Sequence, residues 1–200
     1  MTFRNTVVRS LHDAGLAAWF GGSLMGAVGL NGGTATAIEP RERLRLSSNG
    51  WAAWSPWQIG AVAAHTIGGV GLIVANRGRL QHQAGAQANT VIKLAVTGIA
   101  AAATAYSGYL GHQLQQRQSE GAAGVTEPAA GSSDELASAQ QQLKILQWAI
   151  PALTGGILAS SSLHEEQQRS TEVVKGTVQG LPGTIGHAVT GLAAAAKAKV

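Results

Sequence analysis

The segment Trp57–Ala75 reads WQIGAVAAHTIGGVGLIVA. His65 is its one ionisable side chain, and it contains no Asp, Glu, Lys or Arg. A helix rises ~1.5 Å per residue, so about 20 apolar residues cross a hydrocarbon core of ~30 Å. A water-exposed helix of this length would carry a polar stripe at 3.6-residue spacing, and this segment has none. In lipid every backbone N–H and C=O must be paired within the segment, so the run reads as a membrane-spanning helix.

Three further runs have the same character. Ala14–Leu30 (AGLAAWFGGSLMGAVGL) carries no charge; Val91–Leu110 has Lys93 near its start, and Leu143–Leu163 has Lys144 near its start. The predicted fold is therefore all-α: a polytopic four-helix transmembrane bundle. The spans are expected near 11–31, 56–76, 91–112 and 143–163, inside a membrane domain of residues 1–169. Residues 113–142 read as a flexible polar loop, with helix able to begin at the cap Ser132-Ser133-Asp134-Glu135. Residues 170–200 read as a low-complexity cytoplasmic tail with a weak amphipathic stretch at 185–199.

Composition agrees. Charged residues are 12% of the 200-residue chain, against about 25% in a typical soluble domain. Cysteine is absent, which excludes disulfides, thiolate metal sites and Cys nucleophiles. Glycine, at 27 residues, and alanine dilute the larger apolar residues, and mean hydropathy is only +0.10. The net charge of +4 comes from Lys and Arg in the short connections. They form no aromatic-interleaved basic face, so no nucleic-acid partner is expected.

Those cations orient the chain. Arg4, Arg9, Arg77, Arg79, Lys93, Arg169, Lys175, Lys197 and Lys199 would share one side; they outnumber Arg41, Arg43, Arg45, Arg117 and Lys144 on the other. Both termini are expected in the cytoplasm of a bacterial cell, the chain being multi-pass in the plasma membrane. Trp51, Trp54 and Trp57, three residues apart before the second span, suit headgroup anchors, with a packed turn as the alternative. Tyr106 and Tyr109 suit the same role at the end of the third span. A competing reading makes the first run a secretory signal cleaved at Ala35-Thr36-Ala37 and leaves three spans. Asp13, directly before the run, argues against it.

Helices in lipid associate by close contact, which small residues permit. Gly22 and Gly26 are four apart in the first span; Gly60, Ala64 and Gly68 continue the spacing in the second, and Gly98 and Ala102 in the third. These are the expected helix-packing positions. Pro151, inside the fourth span, is expected to kink it.

An ionisable group within a span is a functional candidate. His65 sits near a midplane, where it reads first as a packing histidine hydrogen-bonded to a neighbouring Thr or Tyr; Thr66, Thr97 and Thr104 are the polar material for the alternative, a ligand or proton-relay site. Haem ligation by His65 would need a second His at matching depth. His12 and His164 are expected at the cytoplasmic ends and His112 at the opposite end, so none matches. His12, Asp13, Lys93, His164, Glu165 and Glu166 are expected to form a salt-bridged rim at one membrane face rather than a zinc or copper set. Nothing resembles a nucleophile with its base, so no metal, cofactor or enzymatic activity is expected.

The strings LHDAGLAAWFGGSLMGAVGLNG (11–32), NRGRL (76–80), ATAYSGYLG (103–111) and LQWAIPALTGGIL (146–158) resemble a group of small four-helix membrane proteins of high-GC actinobacteria. The resemblance covers Leu11 to about Arg169 and implies the same topology. The group is functionally uncharacterised, and no catalytic residues carry over from it. Three functions fit the sequence. The first is a structural or accessory component of a membrane complex, with a membrane-protein partner or a second copy. The second is a small-solute or proton-coupled transporter using His65. The third is a haem- or metal-binding redox protein.

Overall fold

The computed structural model describes residues 3–78 and 84–167. Helix α1 (Phe3–Met25) passes through a π-helical turn (Gly26–Leu30) into the short α2 (Asn31–Ala35). The long helices α3 (Pro40–Ala75), α4 (Ala84–Gln116) and α5 (Asp134–Gln167) come next, with a 3-10 turn at Gln118–Glu120 before the last. The described chain is helical, without strands. Tail residues 170–200, with the stretch 185–199, lie outside the described residues, as does Arg79.

Three helices, α3, α4 and α5, are long and apolar enough to cross a membrane. The 36 residues of α3 exceed what a ~30 Å core requires, so the helix begins well before its apolar part. Pro40 opens it at the first turn, where a missing N–H is harmless. Arg41, Arg43 and Arg45 therefore stand on helix and not in a connection. The first apolar run is divided between α1 and the π turn.

Large apolar side chains face outward: Trp57 is 71% exposed, Ile59 67% and Ile145 71%. Many buried positions are small or polar, including Ser23, Ser47, Ser48, His65, Gln140 and Thr154. This arrangement inverts the usual rule for a chain in water and suits a hydrocarbon surround.

The seam between α1 and α3 is antiparallel and repeats every seven residues. A Cβ on Gly68 would fall on the backbone of Val8 and His12, and one on Gly15 on the backbone of Ala61 and His65. One on Gly22 would enter the Trp54 indole, and one on Gly26 the Trp51 indole. A seven-residue repeat is the signature of left-handed packing. Among the expected packing positions, Gly22, Gly26 and Gly68 hold this seam. Gly60 and Gly98 instead face open space, Ala102 is exposed and Ala64 is half-buried. The packing stripe on α3 is Ala61–His65–Gly68, one residue along from the expected one at its start.

Two apolar clusters hold the remaining helices. Leu44, Leu110, Leu114, Ala122, Leu136 and Ala139 join α3, α4, the loop and α5 at one end. Trp19, Ala61, Ala100 and Ile150 join all four long helices nearer the middle. Pro151 lies inside a helix that continues through it.

The connection between α4 and α5 is shorter than expected, and side chains of α3 and α5 hydrogen-bond to its backbone. Gln140 is fully buried, and its Nε2 donates to the carbonyls of Val125 (2.9 Å) and Gly124 (3.2 Å). Arg43 donates to the carbonyls of Ala37, Ile38, Ala122 and Ala123. Gly121 has φ of +79°, a turn that a side chain would strain. Ser133 caps α5 at the expected place, its Oγ accepting from the Leu136 N–H at 3.3 Å. The Ser133 N–H donates to Glu120 Oε2 at 2.9 Å, and this bond holds the Glu120 carboxyl below its usual value.

Candidate functional site

A chamber of about 370 Å³, mostly apolar in surface with uncharged polar side chains set into its lining, opens at the capped end of the bundle. Its walls come from Ser23 and Asn31, from Ser47 through Gln58 of α3, and from Thr104 through Gln115 of α4. The loop adds Val125 and Thr126, and α5 adds Leu143, Gln147 and Ile150. Among the described residues no Asp, Glu, Lys or Arg lines it, and His112 is the one titratable group in its lining.

Local structure explains how the polar groups reach this space. The π turn closes an i+5 bond, the Asn31 N–H donating to the Gly26 carbonyl. The extra residue in that turn rotates the next helical segment, and Asn31 is buried on the inner side. Trp51 and Trp54, expected as headgroup anchors, are seated on Gly26 and Gly22, so each indole stands between the two helices. Trp57 alone of the three is largely exposed.

One wall is a directed chain of hydrogen bonds. Trp51 Nε1 donates to Asn31 Oδ1 at 2.9 Å, and Asn31 Nδ2 donates to Gln147 Oε1 at 3.0 Å. Gln147 Nε2 donates to Thr126 Oγ1 at 3.4 Å, and Thr126 Oγ1 donates to Glu127 Oε1 at 3.1 Å. Lys144 Nζ closes the chain on the same carboxylate at 3.3 Å. Each member polarises the next, so the wall resists piecemeal rearrangement.

A second wall is incomplete. Trp54 Nε1, which can only donate, holds Gln58 Oε1 at 2.6 Å and so fixes which end of the amide is oxygen. Gln58 Nε2 is buried and has no acceptor among the described residues. Pro56 and Pro151 lack an N–H, so the Ala52 and Gln147 carbonyls cannot receive their i+4 helical bonds. Both Ala52 and Gln147 line the chamber.

The expected midplane site is not assembled as one unit. His65 is buried, but its Nδ1 lies 3.1 Å from the His12 carbonyl and the edge of Trp19 packs on it. Thr66 is exposed and bonds back to the Val62 carbonyl, and Thr97 is half-buried. Thr104 lines the chamber and accepts from Trp19 Nε1 at 3.1 Å. His65 does not line the chamber.

The depth expected for His12 is also corrected. Its ring lies 4.2 Å from that of His65, centroid to centroid, tilted by 38°. The close glycine seam carries α1 deep enough alongside α3 to bring the two rings level. Ring faces this close leave no room for a porphyrin between them. Asp13 Oδ1 pairs with His12 Nδ1 at 2.9 Å. The side chains of His164, Glu165 and Glu166 lie outside the described residues, so only part of the expected rim is seen.

Sequence reasoning passed over Gly15, Asn31, Gln58 and Gln147. For Gly15 the signal was the seven-residue spacing to Gly22. For the others it was a polar side chain inside or beside an apolar run. Compared with protein-family models, with curated proteins and with solved structures, the chain matches none.

Proposed function

We propose that this chain is a polytopic protein of a bacterial plasma membrane whose helical bundle binds a small uncharged solute, as a carrier or solute-binding membrane protein. The supporting observation is a charge-free chamber, lined by apolar and uncharged polar side chains, inside a bundle with an apolar exterior. Intramembrane polar groups lining a cavity mark solute sites in helical transporters. An ionised solute would meet no countercharge there, and burying an unpaired charge is strongly unfavourable. In this reading α1 with its π turn is the fourth span, both termini are cytoplasmic and the chamber lies toward the outer face.

The test uses Gly108, which lines the chamber and where an added Cβ would meet nothing within 4 Å. Gly108→Leu fills the space without striking a neighbour at Cβ. Proteoliposome swelling in small uncharged solutes, followed by light scattering, is expected for the wild type and lost in Gly108→Leu. Equal swelling in both would overturn the proposal. Because the chain has no cysteine, a single Cys at Arg41 reports its side by labelling in intact cells; external labelling is expected.

An accessory role in a membrane complex is favoured by a different observation. Gly60 and Gly98, on two helices long enough to cross a membrane, meet nothing within 4 Å among the described residues, so each leaves a site of close approach open on the surface. Co-purification in mild detergent tests it: a partner lost in Gly98→Leu supports this role, and a lone chain in both removes it.

A further inference from the structure

We infer that the His12–His65 pair is a proton-operated lock on the α1–α3 seam: the helices stay together while no more than one ring is charged and part when both are. Neither histidine lines the chamber, so the lock stands or falls separately from the solute reading.

The geometry ties the two rings to the seam. His65 is 3% exposed and the His12 side chain 16%. Their ring centroids are 4.2 Å apart. The backbone of each histidine rests against a glycine of the other helix, His12 against Gly68 and His65 against Gly15. The rings therefore meet between the points where the backbones touch, and a force between them acts on the closest part of the seam.

Hydrogen bonding says where the protons sit. A carbonyl only accepts, so His65 Nδ1, 3.1 Å from the His12 carbonyl, is the donor. An ionised carboxylate also only accepts, so His12 Nδ1 donates to Asp13 Oδ1 at 2.9 Å. With Nδ1 protonated in both rings, Nε2 of each is the atom that takes up the next proton.

One such charge has a partner, since an imidazolium at His12 faces the Asp13 carboxylate. Two charges at ring contact repel, most strongly where water is scarce. Among the described residues, Asp13 is the carboxylate that acts on His65, and Lys93 of α4 adds another positive charge. Arg9 stands one turn before Asp13 on α1. Helix α3 has no Asp, Glu, Lys or Arg between Arg45 and Arg77, and the described side chains of α5 carry none beyond Lys144. The second proton is thus uncompensated in the closed seam and accommodated once the rings separate into a wetter surround. Imidazole changes charge between about pH 8 and 5, so the seam opens as the pH falls through that range.

The experiment uses the full chain in lipid nanodiscs. It has no cysteine, so Leu11→Cys and Val70→Cys, at exposed positions beside the pair on α1 and α3, carry the only two spin labels. Dipolar broadening between them is expected at about pH 7.5, reduced at about pH 5 and recovered on return. Equal broadening at both values would overturn the lock. His12→Phe keeps a flat ring against His65, and His65→Asn keeps a donor for the His12 carbonyl; neither replacement can be charged. Broadening is expected to be independent of pH in both variants, and a reduction at about pH 5 in either would overturn the pair as its origin. Helix content is followed by circular dichroism, and a fall alongside the reduced broadening would show acid unfolding and overturn the lock. Nitrogen-15 spectra of the histidine-labelled chain without substitution at the pair should show two separate protonation steps, the second coinciding with opening. Both rings charged in a closed seam would overturn the proposal.

Discussion

The two halves of the α1–α3 seam are built on one repeat and do opposite things. Toward the start of α1, Gly15 and Gly68 bring backbone against backbone. Toward the end of α1, the repeat places Gly22 and Gly26 against indole rings of Trp54 and Trp51. The first half closes on itself, with His12 and His65 pressed together. The second half is propped by the two indoles, and beside them lies the chamber. Glycine at an interface thus has two uses: it removes space between helices, or it makes a seat for a large ring.

Breaking the closed half should have the largest effect. Gly15→Leu or Gly68→Leu forces a side chain into a facing backbone that cannot move aside locally. A loss of about 3 kcal/mol is expected, at the upper end for overpacking, read as an earlier unfolding midpoint in detergent. A midpoint unchanged in both would show that the seam does not hold the bundle.

The propped half should fail through its polar wall. Asn31→Ala strands Trp51 Nε1 and Gln147 Oε1 together, and about 2 kcal/mol of destabilisation is expected from two orphaned groups. Asn31→Asp keeps an acceptor for Trp51 but sets an unpaired carboxylate against Gln147 Oε1 in a charge-free surround, so it should be destabilised at least as much as Asn31→Ala. Unfolding curves of the two variants check the order.

The cap over the chamber should respond to acid. The Glu120 carboxyl is held below its ordinary value of 4.5 by the Ser133 N–H and, secondarily, by Arg117. A lowered folded value means that its stabilisation is present above 4.5 and is lost as pH falls below it. Protection of the Ser133 amide, measured against its intrinsic exchange rate at each pH, should therefore fall as the pH drops below 4.5 and should lose this pH dependence in Glu120→Gln. The group is exposed, so the effect should be local rather than global.

The smallest effect sharpens the comparison by contrast. Gly60→Leu and Gly98→Leu place side chains in open space and should change stability by no more than about 0.5 kcal/mol. Together with Gly15→Leu they separate glycines that pack from glycines that only share the same spacing.

Much of the fold was legible because lipid imposes it. The uncharged runs, their lengths and the Ser133 cap are local properties, and helix with three crossing-length segments comes from them. The partners of each helix face were harder to read. Spacing of four marked Gly60 and Gly98 as readily as Gly22, because a chain with 27 glycines offers that spacing everywhere. The seven-residue repeat that carries the seam is visible only with the two helices side by side. The chamber was less legible still. Asn31, Gln58, Thr126 and Gln147 are far apart in sequence, and each alone reads as an ordinary polar residue near a span end.

The sequence by itself determined that the chain forms long apolar helices, since backbone pairing in hydrocarbon leaves little alternative. The tertiary structure decided which groups meet: His12 with His65, each of Trp51 and Trp54 with its glycine, and the amides around one open chamber. The reason is that helix formation needs only neighbours within four or five residues. Register between helices depends instead on side-chain volumes matched across the bundle, and that match exists only in three dimensions.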